Sequence, residues 1–199
     1  LLAFTNNAGP LYITVAVAAG LFGQPAAAML LASGHYGLDL LLGIILGLFS
    51  RSSKTSAATT LPSTATPPGS LGNLMKEAAR AATNNILIIG CYMAFFSVLA
   101  ELICLILPSS ITPMLRAMLS GVWEMSLGID TLATSGLPLA LALPLAAAIL
   151  AFGGFSVQMQ VLAMISDTDI SPRLYLICRP LHAAAACIYT ALLLPHIVQ

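Results

Sequence analysis

The chain has 199 residues, of which 59% are hydrophobic and only 7% charged, and its mean hydropathy is +0.97. A soluble domain carries about 25% charged residues, so water could not solvate a surface built from this chain, and the bounding solvent has to be lipid. Seven basic and seven acidic residues balance to a formal charge of zero, which gives no electrostatic case for nucleic acid or for a polybasic membrane-surface module.

The chain opens LLAFTNNAGP, with neither an initiator Met nor a basic leader. That is no signal peptide, and it is the start expected of a fragment whose upstream membrane segments are missing. Residues 1–22 are apolar but split by Asn6, Asn7, Gly9 and Pro10. Gly and Pro stop one helix and start another, with Thr5, Asn6 and Asn7 at the break. Such a break exposes N–H or C=O groups whose dipoles can bind a polar solute at mid-membrane. A polar turn at the membrane edge is the plainer alternative.

Residues 25–49 form the longest apolar stretch, interrupted by His35 and Asp39 one turn apart. About 20 apolar residues cross a hydrocarbon core, so this is a predicted span. Residues 1–49 thus read as a broken helix plus a transmembrane helix. Residues 50–72 are rich in Ser, Thr and Pro without hydrophobic period, a predicted disordered linker. Leu71, Leu74, Met75 and Ala78 then recur at helical spacing opposite Lys76, Glu77 and Arg80, as in a short interfacial amphipathic helix leading into the next span. Four of the seven basic residues, Arg51, Lys54, Lys76 and Arg80, fall in this connection, which predicts that residues 50–82 face the cytoplasm.

Residues 73–199 carry the amphipathic helix and the remaining spans and half-helices. A span is expected at 86–107, containing Glu101. Residues 114–132 follow, apolar but too short or too broken to span alone, with Arg116, Glu124 and Asp130, and read as half-helices or a hairpin facing the protein interior, interrupted at Glu124-x-Ser126-x-Gly128. Glu124, followed by Ser126 and Gly128, must there be protonated, paired or hydrated; Arg116 and Arg179 are the alternatives for a purely structural partner. Residues 137–152, with Pro138 and Pro144, read as a short kinked span. Gly153 and Gly154 then break the chain before a short helix with Ser156, Gln158 and Gln160 near its start. The last span, 174–194, contains Arg179 and His182 one turn apart.

The four cysteines, Cys91, Cys104, Cys178 and Cys187, lie singly in apolar runs and read as buried free thiols, with no metal site. No HExxH, GxSxG, GxGxxG or phosphate loop is present, so an enzyme has little support and no cofactor is expected beyond a coupling cation or proton. The expected fold is an all-α polytopic bundle with broken helices in a bacterial cytoplasmic membrane.

Four stretches, FTNNAGPLYI at 4–13, GLFGQP through SGHY at 20–36, SGVWEMSLGI at 120–129 and FGGFSVQMQVL at 152–162, together with the tail DTDISPRLYLICRPLHA at 167–183, resemble the sporulation integral membrane protein YlbJ (SpoVV) family. That family falls within the wider gate or nucleoside-recognition domain group. The resemblance implies two related repeats of broken helices meeting around a central site, this chain being the C-terminal one and its partner the N-terminal half of the same protein. It implies a role in spore formation, moving the small dianion dipicolinate across the outer forespore membrane. It also implies site residues at Asn6, Asn7, Gly9, Ser126, Gly128, Gly153, Gly154, Ser156 and Gln158, with Arg179 suited to carboxylates and Glu124 in a coupling or gating role. A nucleoside carrier and a non-transporting scaffold for spore-envelope assembly are the alternatives; the oligomeric state stays open.

Overall fold

A computed structural model describes residues 2–50, 70–108 and 110–197. Most of the expected linker, with Arg51 and Lys54, lies outside the described residues. Within them the chain is all helical. In order come α1 (Leu2–Thr5), a π-helix (Tyr12–Leu21), a 3-10 turn (Pro25–Ala27), α2 (Ala28–Ser50), α3 (Leu71–Ile106), α4 (Pro113–Trp123), α5 (Met125–Ala133), α6 (Leu139–Phe152), α7 (Gly154–Met164), α8 (Arg173–Leu193) and a 3-10 turn (Leu194–His196).

Four segments are long and apolar enough to cross a membrane: Pro25–Phe49, Leu71–Ile106, Leu139–Met164 and Arg173–His196. The protein is therefore a polytopic helical membrane protein. Leu139–Met164 is α6 and α7 in succession, with Gly153 and Gly154 between them at φ +81° and +72°. Only glycine enters that left-handed region without a Cβ penalty, which is why the chain breaks here. Of the two prolines in the short span expected at 137–152, Pro138 is the residue before α6, where its missing N–H costs nothing, and Pro144 sits inside α6 without ending it.

The centre of the bundle is α6, whose Ala-rich sequence LALALPLAAAILAF buries residues around its whole girth from Ala142 to Ala151. Small side chains let backbones approach, and between apolar helices in lipid such packing replaces the hydrophobic drive available in water. α6 lies chiefly on α8, α8 on α2, and α4 on α5, while α7 and α4 carry α3 on the outside. The α4/α5 hairpin is closed by Gly121 and Gly128: a Cβ on Gly128 would stand 2.2 Å from the Gly121 Cα.

Residues 71–106 depart from expectation in being one unbroken helix. Its inner stripe is Phe96, Ala100 and Cys104, four residues apart, with Phe96 stacked on Trp123 at 6.4 Å. Residues 71–91 are exposed throughout. Leu71, Leu74 and Met75 are as exposed as the charges opposite them, so the amphipathic stretch continues into the span instead of lying against the bundle. The same geometry corrects the cysteines: Cys104 and Cys178 are buried, but Cys91 is exposed, because nothing packs on its part of α3, and Cys187 is half-buried.

Candidate functional site

The three interruptions meet. Between α1 and the π-helix, residues 6–9 run without regular structure, and the Tyr36 hydroxyl donates to the Ala8 carbonyl at 2.6 Å. Asn6 Nδ2 donates to the Tyr175 hydroxyl at 3.0 Å, and Asn7 Nδ2 to the Phe4 carbonyl at 3.3 Å. Tyr36→Phe removes one such tether and should lower stability by about 1 kcal/mol, a modest fall in the thermal midpoint in detergent. An unchanged midpoint would show that this bond does not hold the break.

At the second interruption, the one expected at Glu124-x-Ser126-x-Gly128, the helix stops at Trp123 and restarts at Met125. Glu124 is extended between them (φ −140°, ψ 120°), and its Oε2 accepts from Leu127 N at 2.6 Å. The carboxylate is thus the N-cap of α5, where the unpaired N–H groups and the helix dipole favour a negative charge. Of the two arginines weighed as its partners, Arg116 donates to the Cys104 carbonyl and Arg179 pairs with Asp39. The third interruption sits against the second. A Cβ on Gly154 would meet Met125 N at 3.0 Å and the Gly121 and Trp123 carbonyls at 3.1 and 3.2 Å.

Arg179 ties the first break to the third. One guanidinium nitrogen donates to the Asn6 carbonyl at 2.9 Å, another to the Ala151 carbonyl at 3.1 Å, and the group lies over the Tyr175 ring at 5.1 Å. It thereby satisfies carbonyls that α1 and α6 leave free at their C-terminal ends.

These elements enclose a cavity of about 360 Å³, within the roughly 300–1,000 Å³ of small-molecule sites. Of the residues expected at a site, Asn6, Asn7, Gly9, Gly153 and Arg179 line it. Asn7 Oδ1 and Gln160 Nε2, both in its wall, are buried with no hydrogen-bond partner among the described residues. The π-helix and α7 begin at this wall, and neither has a side-chain cap. The cavity therefore offers polar groups and positive helix ends of a kind that suits a polar or anionic guest.

The other expected residues lie outside the lining. Ser156 and Gln158 are buried elsewhere on α7, Gly128 is consumed by the α4/α5 crossing, and Gly154 by its contact with the Glu124 turn. Ser126 lies against the Tyr12 hydroxyl, and Thr5 closes α1. Residues not singled out for the site, Met125, Phe152 and Tyr175, do line it, as does Gln160. Tyr175, Arg179 and His182 at four- and three-residue spacing form one polar stripe on α8, a signal present in the sequence.

No family model matches the chain, and no solved structure matches it. The chain is similar to the sporulation integral membrane protein YlbJ of Bacillus subtilis (strain 168), 27% identical over 223 residues that take in 97% of this chain and 55% of that protein, so it spans about half the length of this relative.

Proposed function

We propose that the protein carries a small polar anion across a membrane and is not an enzyme, and that, as the name of its relative suggests, it serves sporulation. Dipicolinate, the substrate implied by the resemblance, is the anion to test, and the outer forespore membrane the implied location. The observation that supports this reading is the cavity where the first and third breaks converge, with Arg179, two uncapped helix starts, the unpartnered donor Gln160 Nε2 and the unpartnered acceptor Asn7 Oδ1 in its wall. In a transporter, broken helices at mid-membrane supply such ends to a substrate. Because the chain spans about half of its relative, transport belongs to the full-length protein.

Full-length protein in liposomes should take up dipicolinate. Asn7→Ala, which deletes one polar partner, should weaken apparent affinity about tenfold, the equivalent of roughly 1.4 kcal/mol, with expression unchanged. Uptake unaffected by Asn7→Ala and by Gln160→Ala would remove this cavity from the transport path, and competition by nucleosides would reassign the substrate.

A further inference from the structure

Behind the wall that Arg179 forms, α2 and α8 enclose ionisable groups that anion binding alone does not use. His35, Asp39, Arg179 and His182 are each at most 3% exposed. His182 Nε2 lies 3.0 Å from the His35 carbonyl oxygen. A carbonyl only accepts, so Nε2 carries a hydrogen. The other ring nitrogen, Nδ1, stands 3.1 Å from Asp39 Oδ1. No hydrogen bond of good geometry reaches Nδ1 or either Asp39 oxygen among the described residues, and the side chain of Asn7 is the polar neighbour beside Asp39.

With a neutral imidazole and an ionised carboxylate, two basic atoms would stand 3.1 Å apart in a water-poor interior with no hydrogen to share. A single proton between them removes the repulsion, whether it rests on nitrogen or on oxygen, and the two sites titrate as one. The other ionisable groups around the pair are His35 on α2 and Tyr175, Cys178 and Arg179 on α8; the Tyr36 hydroxyl is bound to Ala8 and Tyr12 of the π-helix faces Ser126 and Glu124. The sequences of α1 and α6, which also pack here, contain no ionisable side chain.

The pair is wired to the cavity. Asp39 Oδ2 is 3.9 Å from a guanidinium nitrogen of Arg179, which lines the 360 Å³ cavity, while His182 lines a separate cavity of about 180 Å³. Arg179, Asp39 and His182 sum to zero charge without the shared proton and to one positive charge with it. In a low-dielectric interior that charge favours an anion in the adjoining cavity.

We propose that Asp39 and His182 form a proton-binding site coupled to anion occupancy of the cavity lined by Asn7, Gly153 and Arg179. This rests on the anion-carrier reading. Linkage makes the coupling reciprocal: the proton strengthens anion binding, and the anion draws in the proton.

Calorimetry of pyridine-2,6-dicarboxylate binding to purified full-length protein, in two buffers of different ionisation enthalpy, tests it. The binding enthalpies should differ by the uptake of a fraction of one proton, and affinity should fall as pH rises through the titration of the pair, by at most about tenfold per unit. In Asp39→Asn the amide can donate to Nδ1 in place of the proton. Buffer dependence should vanish there, with affinity held near its low-pH value at every pH. Binding without proton uptake in the unsubstituted protein, or uptake persisting in Asp39→Asn, overturns the proton site and leaves the anion site standing. No binding in either buffer overturns both. If Asp39→Asn does not fold, the two-buffer comparison on the unsubstituted protein decides alone.

Discussion

Arg179→Met should abolish the folded state of the full-length protein, read as loss of the monodisperse peak in detergent size-exclusion chromatography. Met keeps an unbranched apolar stem but lacks the whole guanidinium group, so the charge and its hydrogen bonds are lost together. Met leaves Asp39, 1% exposed, without its arginine and strips a donor from both the Asn6 and the Ala151 carbonyls. Removing one partner of a buried ion pair costs about 3–5 kcal/mol, because the other charge stays buried without it. Adding Asp39→Asn removes that charge and should restore part of the peak; the two carbonyls account for the part it does not restore. A double variant no better than Arg179→Met would place the whole loss on the carbonyls at the breaks, and a fully folded Arg179→Met would refute both roles.

Gly128→Ala is expected to be nearly as damaging although it adds one methyl group. The added Cβ would stand 2.2 Å from the Gly121 Cα and 2.4 Å from its nitrogen, so backbone meets backbone and no side chain can turn aside. The α4/α5 hairpin has to open, which moves the Glu124 cap and the Gly153–Gly154 turn against it. Overpacking of this kind costs about 1–3 kcal/mol and occasionally more; contact with backbone puts this position at the upper end. The matched control is Gly9→Ala, where a Cβ meets nothing within 4 Å. The thermal midpoint in detergent should fall steeply for the first and hold for the second; equal midpoints would mean that α4 and α5 separate without cost.

The two substitutions also divide what was legible in advance from what was not. Asn-Asn-Ala-Gly-Pro and Gly-Gly announced the first and third breaks correctly, because Gly and Pro act on the backbone of their own segment. The second break was legible too, as the polar interruption Glu-x-Ser-x-Gly in a helical pattern, but not the role of Glu124 in it. Its place as an N-cap depends on the chain turning there, and that turn is held by Gly154 from a segment thirty residues later.

On α2 and α8, the sequence placed His35 with Asp39 and Arg179 with His182, each pair one turn apart on its own helix. The contacts that matter run across the helices, from Arg179 and His182 to Asp39 and from His182 to the His35 carbonyl. Of Ser156, Gln158 and Gln160 on α7 only Gln160 reaches the cavity: Gln158, two residues away, is on another face, and Ser156, one turn earlier on the face of Gln160, is buried outside the lining.

By itself, then, the sequence determined the solvent, the helical class and the places where helices break, because hydropathy and the backbone preferences of Gly and Pro are local properties of a segment. Which breaks meet, which carbonyls Arg179 satisfies, and that Asp39 and His182 come together were decided only in the tertiary structure. A buried polar group takes its meaning from the partner that packing brings to it.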